Sequence, residues 1–494
     1  MIKDDFKILM VYPNLPMEPL MPLSIASLFA KLKQHNFHVK LFDTSFYSDR
    51  NTNNDQEHRV YSQQILWADY GTVGIYPIQR NVYDDFKQLV LNYKPSLICV
   101  SCVENTYSLA NALLETISNI NIPVMVGGVF ATFSPQRIME NELIDFVCEG
   151  EGEHTIIEVA ENIKNNKTIE DIPNLWRKNN DKIIPPVSYR IEDVRKLPVP
   201  QFDIFEPKRI YRAMSGKVYK MLPIEFSRGC PYQCTYCSAP SFGKKFKESG
   251  KWLRFKPIEQ IIREIEYYCE SYDVDYFYFV SETFLALPQK DREKFYKEYS
   301  KINIPFWFNT RPETITKEDI KSLQEINCHR ISIGIESGSE DFRRKRLKRN
   351  YSNEQVLFAV NTVIDSEIEL SVNNMIGFPD ETRDLIFETI NLNRKFNADS
   401  HSISVFQPYV GTELYSYCLK NNYWDSDKVC DNPFSQSVLT MPSISKEEIN
   451  GLYRTFNLYR QLDRSLWPEI KKAEKLTKEG DKILNNLFKE LNNK

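Results

Sequence analysis

Three closely spaced cysteines are the residues of this chain whose types and spacing point most directly to chemistry. Cys230, Cys234 and Cys237 form a C-x3-C-x2-C run. Three thiolates at this spacing can ligate three irons of a four-iron–four-sulfur (4Fe–4S) cluster and leave the fourth iron open for a substrate or cofactor. A structural zinc site would need a fourth Cys or His at suitable spacing, and the closest flanking candidates are His154 and Cys269. Three unrelated buried cysteines are the other interpretation, and the spacing favours the cluster.

The composition of the chain is that of a folded protein with two or three domains, because 494 residues exceed one ordinary core. Its net charge is −4, so nothing indicates a nucleic-acid partner. The sequence shows no signal-peptide pattern and no apolar run long enough to span a bilayer, which predicts a cytoplasmic protein without a membrane partner. Reduced cysteines are expected there, and Cys99, Cys102 and Cys148 lie in apolar, strand-like runs typical of a core.

Strands alternate with helices over the first third of the chain, which predicts a doubly wound, Rossmann-like parallel sheet over residues 1–164. The predicted strands are residues 7–12, 39–43, 97–103, 123–126 and 145–148. In such a sheet, ligands bind beyond the carboxyl ends of the strands. The candidate binding residues at these ends are Ser101, Thr106, Gly127, Gly128, Val129, Gly150 and Glu151.

A second αβ series follows a proline-rich stretch at residues 165–220, which we interpret as a linker. Six predicted strands indicate a partial (βα)6 barrel over residues 221–420, open on one side, with its chemistry at the carboxyl ends of the strands. These strands are residues 224–227, 276–280, 305–309, 330–336, 369–376 and 402–407. Residues 421–494 predict a helical C-terminal region, in which the lysine-rich helix at 470–494 packs loosely. The basic run at residues 343–349 is expected to be a solvated helix face or loop.

The cysteine run has an aromatic residue, Tyr236, directly before its third cysteine, and it resembles the radical S-adenosylmethionine (SAM) superfamily. The regions on both sides of the run resemble the cobalamin-binding-domain subgroup of that superfamily. This resemblance implies a 4Fe–4S cluster whose open iron chelates SAM, and reductive cleavage of SAM to methionine and a 5′-deoxyadenosyl radical. It also implies cobalamin in the N-terminal domain and a reducing partner such as flavodoxin or ferredoxin.

The resemblance implies SAM contacts at the ends of the barrel strands. Glu282 matches an acidic residue that accepts a hydrogen bond from the SAM amino group. Arg311 is expected to pair with the SAM carboxylate or with substrate, and a surface salt bridge is the alternative. Glu336 or Ser337 would hydrogen-bond the ribose hydroxyls. Gly377 would let the backbone approach the adenine closely.

For cobalamin, Ser101 and the Gly127-Gly128 pair match two of the positions usual in the subgroup. The cobalamin signature D-x-H-x-x-G, whose His supplies the lower axial ligand, is missing. The nearest match, at Asp399 and His401, lacks the glycine and lies in the predicted barrel. Two interpretations stay open: cobalamin is bound without a His ligand, or the domain is a Rossmann-like relic that binds nothing or something else.

These features together predict a cobalamin-dependent radical SAM enzyme that transfers a methyl group to an unactivated carbon of a small-molecule substrate. Non-methylating rearrangement or cyclisation with cobalamin uses the same architecture and stays open. A methylthiotransferase acting on RNA or protein would need three further N-terminal cysteines for a second cluster, and Cys99, Cys102 and Cys148 look like core. An iron–sulfur sensor or electron carrier would not explain the ordered strand-end segments.

Overall fold

The computed structural model describes residues 6–18, 20–48, 59–60, 62–179 and 182–492. The chain divides into two compact units. The first unit comprises Met1–Asp55, Asp69–Pro223 and Ser241–Pro257, and the second comprises Gln56–Ala68, Ile224–Pro240 and Ile258–Lys494. Neither unit is continuous in sequence. Residues 56–68 belong to the second unit although the residues on both sides of them belong to the first, and residues 241–257 belong to the first unit although their neighbours belong to the second.

The first unit is built on a sheet whose order is β2-β1-β3-β4-β5-β6-β7. Its strands are β1 (Lys7–Tyr12), β2 (His38–Asp43), β3 (Leu97–Ser101), β4 (Val124–Gly127), β5 (Phe146–Cys148), β6 (Leu175–Asn179) and β7 (Lys182–Ile184). The first five strands pair in parallel, and β6 and β7 are antiparallel to their neighbours. Strand order reverses at β1, so β1 and β3 flank the switch point where ligands of such sheets bind.

Helices connect the parallel strands of the first unit, as right-handed crossovers require. The connecting helices are α1 (Leu23–Gln34), α2 (Val82–Tyr93), α3 (Tyr107–Glu115), α4 (Val129–Phe133) and α5 (Pro135–Met139). Two other helices do not join parallel strands: α6 (Thr155–Lys164), which follows β5, and α7 (Ala239–Lys245), whose first two residues belong to the second unit. Apolar residues at helical spacing bury one face of α1, including Ile25, Phe29 and Leu32. The predicted doubly wound, Rossmann-like sheet is therefore confirmed.

The segment 165–220 differs from the predicted linker. It supplies β6 and β7, which extend the first sheet, and Asn174, which is buried and donates through its side-chain amide to the backbone oxygens of Glu151 and Arg190. These strands are short, lie towards the edge of the sheet and contain Arg177, Lys178 and Lys182. Charged residues of this kind are typical of edge strands and hide the strand pattern in the sequence.

The second sheet has the order β16-β15-β14-β13-β12-β9-β8. The remaining strands of the chain are β8 (Tyr211–Met214), β9 (Lys217–Glu225), β10 (Ser227–Arg228), β11 (Arg254–Phe255), β12 (Tyr276–Val280), β13 (Phe306–Thr310), β14 (Cys328–Glu336), β15 (Glu369–Ile376) and β16 (Ser400–Val405). Strands β12 to β16 pair in parallel throughout. This is the half-barrel sheet that the sequence predicts.

One face of the second sheet packs on its helices and is strongly apolar. The helices of this unit are α8 (Ile258–Tyr272), α9 (Gln289–Tyr299), α10 (Lys317–Glu325), α11 (Glu340–Lys345), α12 (Asn353–Ile364), α13 (Arg383–Asn393), α14 (Glu413–Lys420), α15 (Lys446–Gln461), α16 (Trp467–Ala473) and α17 (Lys478–Asn492). Phe279 and Phe306 on the sheet contact Tyr299 on α9 in edge-on geometry. These aromatic pairs fix which strand residues face the helices and which face the opposite side.

The C-terminal helices α15, α16 and α17 pack into one hydrophobic core with the end of the barrel. Leu452 and Phe456 on α15, Ile470 on α16 and Leu484 on α17 are fully buried in that core together with Val405 of β16. The loosely packed helix expected at 470–494 is thus wrong, because two shorter helices there bury their apolar faces. Within the described residues, no helix is long and apolar enough to cross a membrane.

Candidate functional site

The cysteine loop lies in the second unit, directly after the strands β9 and β10. Cys230 and Cys237 are partly exposed, and Cys234 is 8% exposed. The loop is anchored through Thr235: its hydroxyl donates to the backbone oxygen of Arg346 at 2.7 Å, and its own backbone oxygen accepts from the amide of Leu414 at 3.0 Å. The loop thus presents two accessible thiols and one buried thiol on a fixed backbone.

The donor set suits a cluster, because all three ligands are thiols on one loop and each binds a different iron. Within the part of the chain that the structure describes, no three His, Cys, Asp or Glu side chains gather as ligands of one ion would. A cluster does not require its ligands to converge on one point, because each cysteine binds a different iron atom. The amide of Ala239 also donates to the sulfur of Cys237 at 3.5 Å, a contact that favours the thiolate form.

Burial and, to a smaller extent, the carboxylate of Glu282 together raise the pKa of Cys237 to about 12. The pKa of Cys230 shifts in the same direction for the same main reason, burial. Without metal these thiols are therefore neutral at physiological pH. Binding iron must release their protons, which couples cluster assembly to pH.

Two buried arginines approach the sulfur of Cys234. The guanidinium of Arg311 donates to it at 3.0 Å, and that of Arg349 lies 3.9 Å away. Arg311 also pairs with Glu313 at 2.7 Å and stacks on the ring of Tyr232 at 3.7 Å from its centroid. This pairing is buried, so the surface salt bridge considered for Arg311 is excluded by its 5% exposure.

Glu282 follows β12, and its carboxylate accepts no hydrogen bond and forms no ion pair among the described residues. The side chain is accessible, yet the surrounding protein raises its pKa by desolvation. Its charge raises the pKa of both Cys230 and Cys237, which places it close to these thiols. A free carboxylate beside the cysteine loop is a suitable acceptor for a protonated amine such as the amino group of SAM.

Glu336 is the last residue of strand β14 and Ser337 follows it, but they have different surroundings. Glu336 has a positive φ of 66° and lies 3.5 Å from the guanidinium of Arg349. Ser337 is fully buried, and its hydroxyl accepts from the amide of Ser339 at 3.4 Å. Of the two, the partly exposed Glu336 is the one whose side chain is accessible to a ligand.

Gly377 directly follows strand β15 and has a positive φ of 80°. Its amide donates to the buried carboxyl group of Glu381 at 2.6 Å, and the amide of Phe378 donates to the same oxygen at 3.2 Å. The ring of Phe378 contacts that of Tyr236 at 5.7 Å between centroids. The turn after β15 is therefore held by Glu381 and packs against the aromatic residue of the cysteine loop.

The sheet face opposite the helices is polar and carries small hydrogen-bonding side chains. Strand pairing places Asn309 beside Ser332, and Asn373 between Gly334 and Ser402. Further members of this face are Tyr278, Ser371, Ser400 and Ser404. Its charged pair, Arg330 and Glu369, lies at the amino ends of the strands with 3.5 Å between Nε and a carboxylate oxygen. Between that pair and the strand ends this face carries neutral hydroxyl and amide groups, together with Met375 and the rings of Tyr278 and Trp307, which stack with 4.1 Å between their centroids.

At the carboxyl edge of the first sheet, Ser101 pairs with Gly127, and the two valines that follow these strands are exposed. Val103 is 45% and Val129 is 43% exposed. A Cβ atom on Gly127 would meet nothing closer than 3.8 Å, whereas one on Gly128 would lie 2.2 Å from the backbone oxygen of Cys102. A Cβ on Gly127 would thus meet the protein without a clash, so the fold does not require this glycine, and its place at an apolar edge suits the approach of a bulky ligand such as cobalamin; Gly128 is required by the protein itself.

The other candidates of the first unit are engaged by protein groups. The hydroxyl of Thr106 exchanges hydrogen bonds with the backbone of Val103 at 3.2 Å, and Glu151 forms an ion pair with Arg254 at 2.6 Å. Gly150 donates its amide to the hydroxyl of Thr132 at 3.0 Å. Their roles in cobalamin binding therefore stay a proposal, with Ser101, Gly127 and Val129 better placed.

Comparison with known proteins agrees with this division. The model of the radical SAM superfamily matches residues 224–392, and the model of the B12-binding domain matches residues 63–160. The chain belongs to the radical SAM enzymes with a B12-binding domain. Its cofactors are accordingly a 4Fe–4S cluster, SAM and cobalamin, and the interpretation of the N-terminal domain as a Rossmann-like relic is set aside.

An uncharacterized methyltransferase of Pyrococcus horikoshii is 27% identical over 75% of this chain and 80% of its own length. The anaerobic magnesium-protoporphyrin IX monomethyl ester cyclase of Rubrivivax gelatinosus is 23% identical over 67% of this chain and 60% of its own length. Among solved structures, the radical SAM methyltransferase TsrM of Kitasatospora setae, with cobalamin and a 4Fe–4S cluster bound, has a TM-score of 0.62. It is 17% identical and aligns over 84% of this chain and 75% of its own, a likeness of fold.

The main residue that the sequence analysis missed is Arg349. It belongs to the basic run at 343–349, where Arg343, Leu347 and Arg349 are 0%, 0% and 4% exposed. The solvated face expected for this run is thus wrong for these positions. Its position in the sequence could have indicated a functional role. The basic run begins five residues after Gly338, in the region that follows strand β14, and barrels of this kind carry functional residues after the carboxyl ends of their strands.

Proposed function

We propose that this chain is a cobalamin-dependent methyltransferase that methylates an unactivated carbon of a small-molecule substrate. The observation that supports it is the combination of a cysteine loop at the strand ends of one unit with a B12-binding unit in the same chain. The methyltransferase names of one relative and of one solved structure support methylation over other radical reactions.

When bound, the cluster and SAM supply hydrogen-atom abstraction, and cobalamin supplies the methyl group. The chain's own residues would bind these cofactors and orient them. Cys230, Cys234 and Cys237 would hold the cluster, and the free carboxylate of Glu282 would accept from the SAM amine. Glu336 would contact the ribose, and Gly377 would let the backbone approach the adenine. Ser101, Gly127 and Val129 would contact cobalamin.

The polar sheet face supports a substrate with neutral hydrogen-bonding groups. Ser332 is 5% exposed and Asn373 is half-buried, and no hydrogen bond joins the hydroxyl of the first or the side-chain amide of the second to any described residue. Both groups are therefore free to hydrogen-bond a bound hydroxyl, amide or water. A hydrocarbon substrate would leave them unpaired, which disfavours it.

The experiment is anaerobic purification with reconstitution of the cluster and added hydroxocobalamin, followed by iron, sulfide and cobalt analysis. About four irons per chain and one cobalt are expected. A Cys230→Ala, Cys234→Ala, Cys237→Ala triple variant is the control and should lose iron while keeping cobalt. Iron without cobalt in the wild-type protein would contradict the methyltransferase.

The substrate is sought by incubating the loaded protein and the triple variant with small-molecule extracts and SAM that carries a deuterated methyl group. Labelled product, with S-adenosylhomocysteine and 5′-deoxyadenosine formed beside it, is expected from the active protein alone. 5′-Deoxyadenosine and an unlabelled product would instead support rearrangement or cyclisation, the second candidate, which is favoured by the relative named as a cyclase.

A methylthiotransferase has less support. Cys99, Cys102 and Cys148 are 5%, 3% and 3% exposed. Burial raises the pKa of Cys102 and of Cys148 to about 12. Thiols of this kind are inert core residues, so they give no support to a second cluster.

A further inference from the structure

Arg349 has more contacts around the cysteine loop than its place in a basic run suggests. Its guanidinium donates to the hydroxyl of Tyr236 at 2.7 Å and to that of Tyr351 at 2.8 Å. It also donates to the backbone oxygen of Gly334, and it lies 3.5 Å from the carboxylate of Glu336. A guanidinium is planar and has five N–H donors and no acceptor. These contacts together therefore fix the position and orientation of the positively charged group.

The remaining contact of Arg349 is with Cys234, whose sulfur lies 3.9 Å from Nη1. The same sulfur accepts from Arg311 at 3.0 Å. Cys234 is thus the one cluster ligand, among the described contacts of the three cysteines, that two guanidinium groups approach. Both arginines are at least nine-tenths buried, which weakens the screening of their charge by solvent.

Positive charge and hydrogen bonds at a cluster sulfur stabilise the reduced form of the cluster. On reduction a low-potential one-electron donor transfers one electron, and the charge of the cluster with its three thiolates changes from −1 to −2. The additional negative charge is attracted more strongly by a nearby cation. Charge and hydrogen bonding around the ligands are the means by which proteins set such potentials.

We propose that Arg349 is a positioning residue that sets the reduction potential of the cluster through Cys234, in concert with Arg311. Its contacts with Tyr236 and Glu336 hold its guanidinium between the cysteine loop and the end of strand β14. The inference rests on the cluster in the proposed function, but it needs neither the substrate nor cobalamin.

The test is a redox titration of the reconstituted cluster, followed by electron paramagnetic resonance of the reduced form in the absence of SAM. Arg349→Gln removes the charge, and Arg349→Lys keeps the charge without the forked donor. Arg394→Gln is the matched control, because Arg394 is a half-buried arginine of the same unit that donates to the backbone oxygens of Arg460 and Leu462.

At the midpoint potential of the wild-type protein, Arg349→Gln is expected to have about a tenfold lower ratio of reduced to oxidised cluster. This corresponds to a shift of ~59 mV to more negative potential for one electron. Arg349→Lys should shift less, and Arg394→Gln should not shift.

Wild-type potential in an iron-loaded Arg349→Gln variant would overturn the inference and leave the proposed function intact. If Arg349→Gln is folded by its melting temperature but binds no iron, Arg349 acts in assembly, which also overturns it. If Arg349→Gln does not fold, the potential of Arg349→Lys decides, and no shift relative to Arg394→Gln overturns the inference. Absence of iron in the wild-type protein would instead refute the proposed function itself.

Discussion

Glu381 is a fully buried carboxyl group whose role is to close the turn after strand β15. One of its oxygens accepts from the amides of Gly377 and Phe378, and within the described structure the other has no hydrogen-bond partner. Burial raises its pKa from 4.5 to about 8, although the two amide donors oppose the shift. The folded chain therefore holds a proton at neutral pH that the unfolded chain releases.

The proton on Glu381 should make the stability of the folded chain depend on pH. Between pH 4.5 and about 8 the folded state binds more protons at Glu381 than the unfolded state does, so its contribution to stability falls as pH rises through this window. Glu381→Gln keeps an acceptor for the two amides but does not titrate. Relative to the variant, the wild-type protein should lose about 1 kcal/mol of unfolding free energy per pH unit. Calorimetry of both apoproteins from pH 5.5 to 8.5 measures this, and parallel profiles would contradict it.

At the scale of elements, the two glycines at the end of strand β4 have different roles: the fold requires Gly128, whereas Gly127 is the proposed cobalamin contact. Gly128 has a φ of 109° and no room for a Cβ beside the Cys102 carbonyl, whereas Gly127 has room. Gly128→Ala should therefore destabilise the first unit by on the order of 3 kcal/mol, through backbone strain and steric clash.

Gly127→Val gives the complementary prediction. The melting temperature of the protein should stay close to that of the wild type, because the nearest atom to an added Cβ is 3.8 Å away. The affinity for hydroxocobalamin, followed by its visible spectrum, should fall about tenfold or more if the ligand approaches the backbone there. Unchanged affinity together with an unchanged melting temperature would remove Gly127 from the site.

The C-terminal helices give a prediction about stability alone. Leu484 on α17 is fully buried in the core that it shares with α15, whereas Leu476, before α17, is 50% exposed. Leu484→Ala should cost about 2–5 kcal/mol of unfolding free energy, and Leu476→Ala should stay within about 0.5 kcal/mol of the wild type. Thermal unfolding of the two variants compares them directly. Equal effects would restore the loosely packed helix that the lysine-rich sequence suggested.

At the scale of the whole molecule, the candidate cofactor residues divide between the units. Those for the cluster and SAM lie in the second unit, and those for cobalamin lie in the first. The two metals should therefore load independently: the triple cysteine variant should bind cobalt at the wild-type ratio, and Gly127→Val should bind iron at the wild-type ratio. Elemental analysis measures both, and loss of both metals from either variant would show that loading is coupled.

The parts of this architecture that the sequence predicts are those with a simple physical signal. Parallel strands buried on both faces appear as short apolar runs, and the bounds of β1, β12 and β15 agree with the predicted ones. β6 and β7 escaped prediction because edge strands carry charges. Arg349 escaped because burying an arginine is favourable only beside partners such as Glu336 and Cys234, which lie 13 and 115 residues away in sequence.

The segment 241–257 has a consequence for the history and engineering of this protein. The chain leaves the second unit at Pro240, three residues after the last cluster cysteine, and returns to it at Ile258. In between, Phe246 is buried in the first unit against Tyr189 and Trp252. A fragment that ends before the cysteine loop would thus lack part of the first unit's own core. The two units therefore cannot be separated or exchanged at a single junction in the sequence. A chimaera that transfers either unit to another protein has to include segments of the chain from both sides of the cysteines.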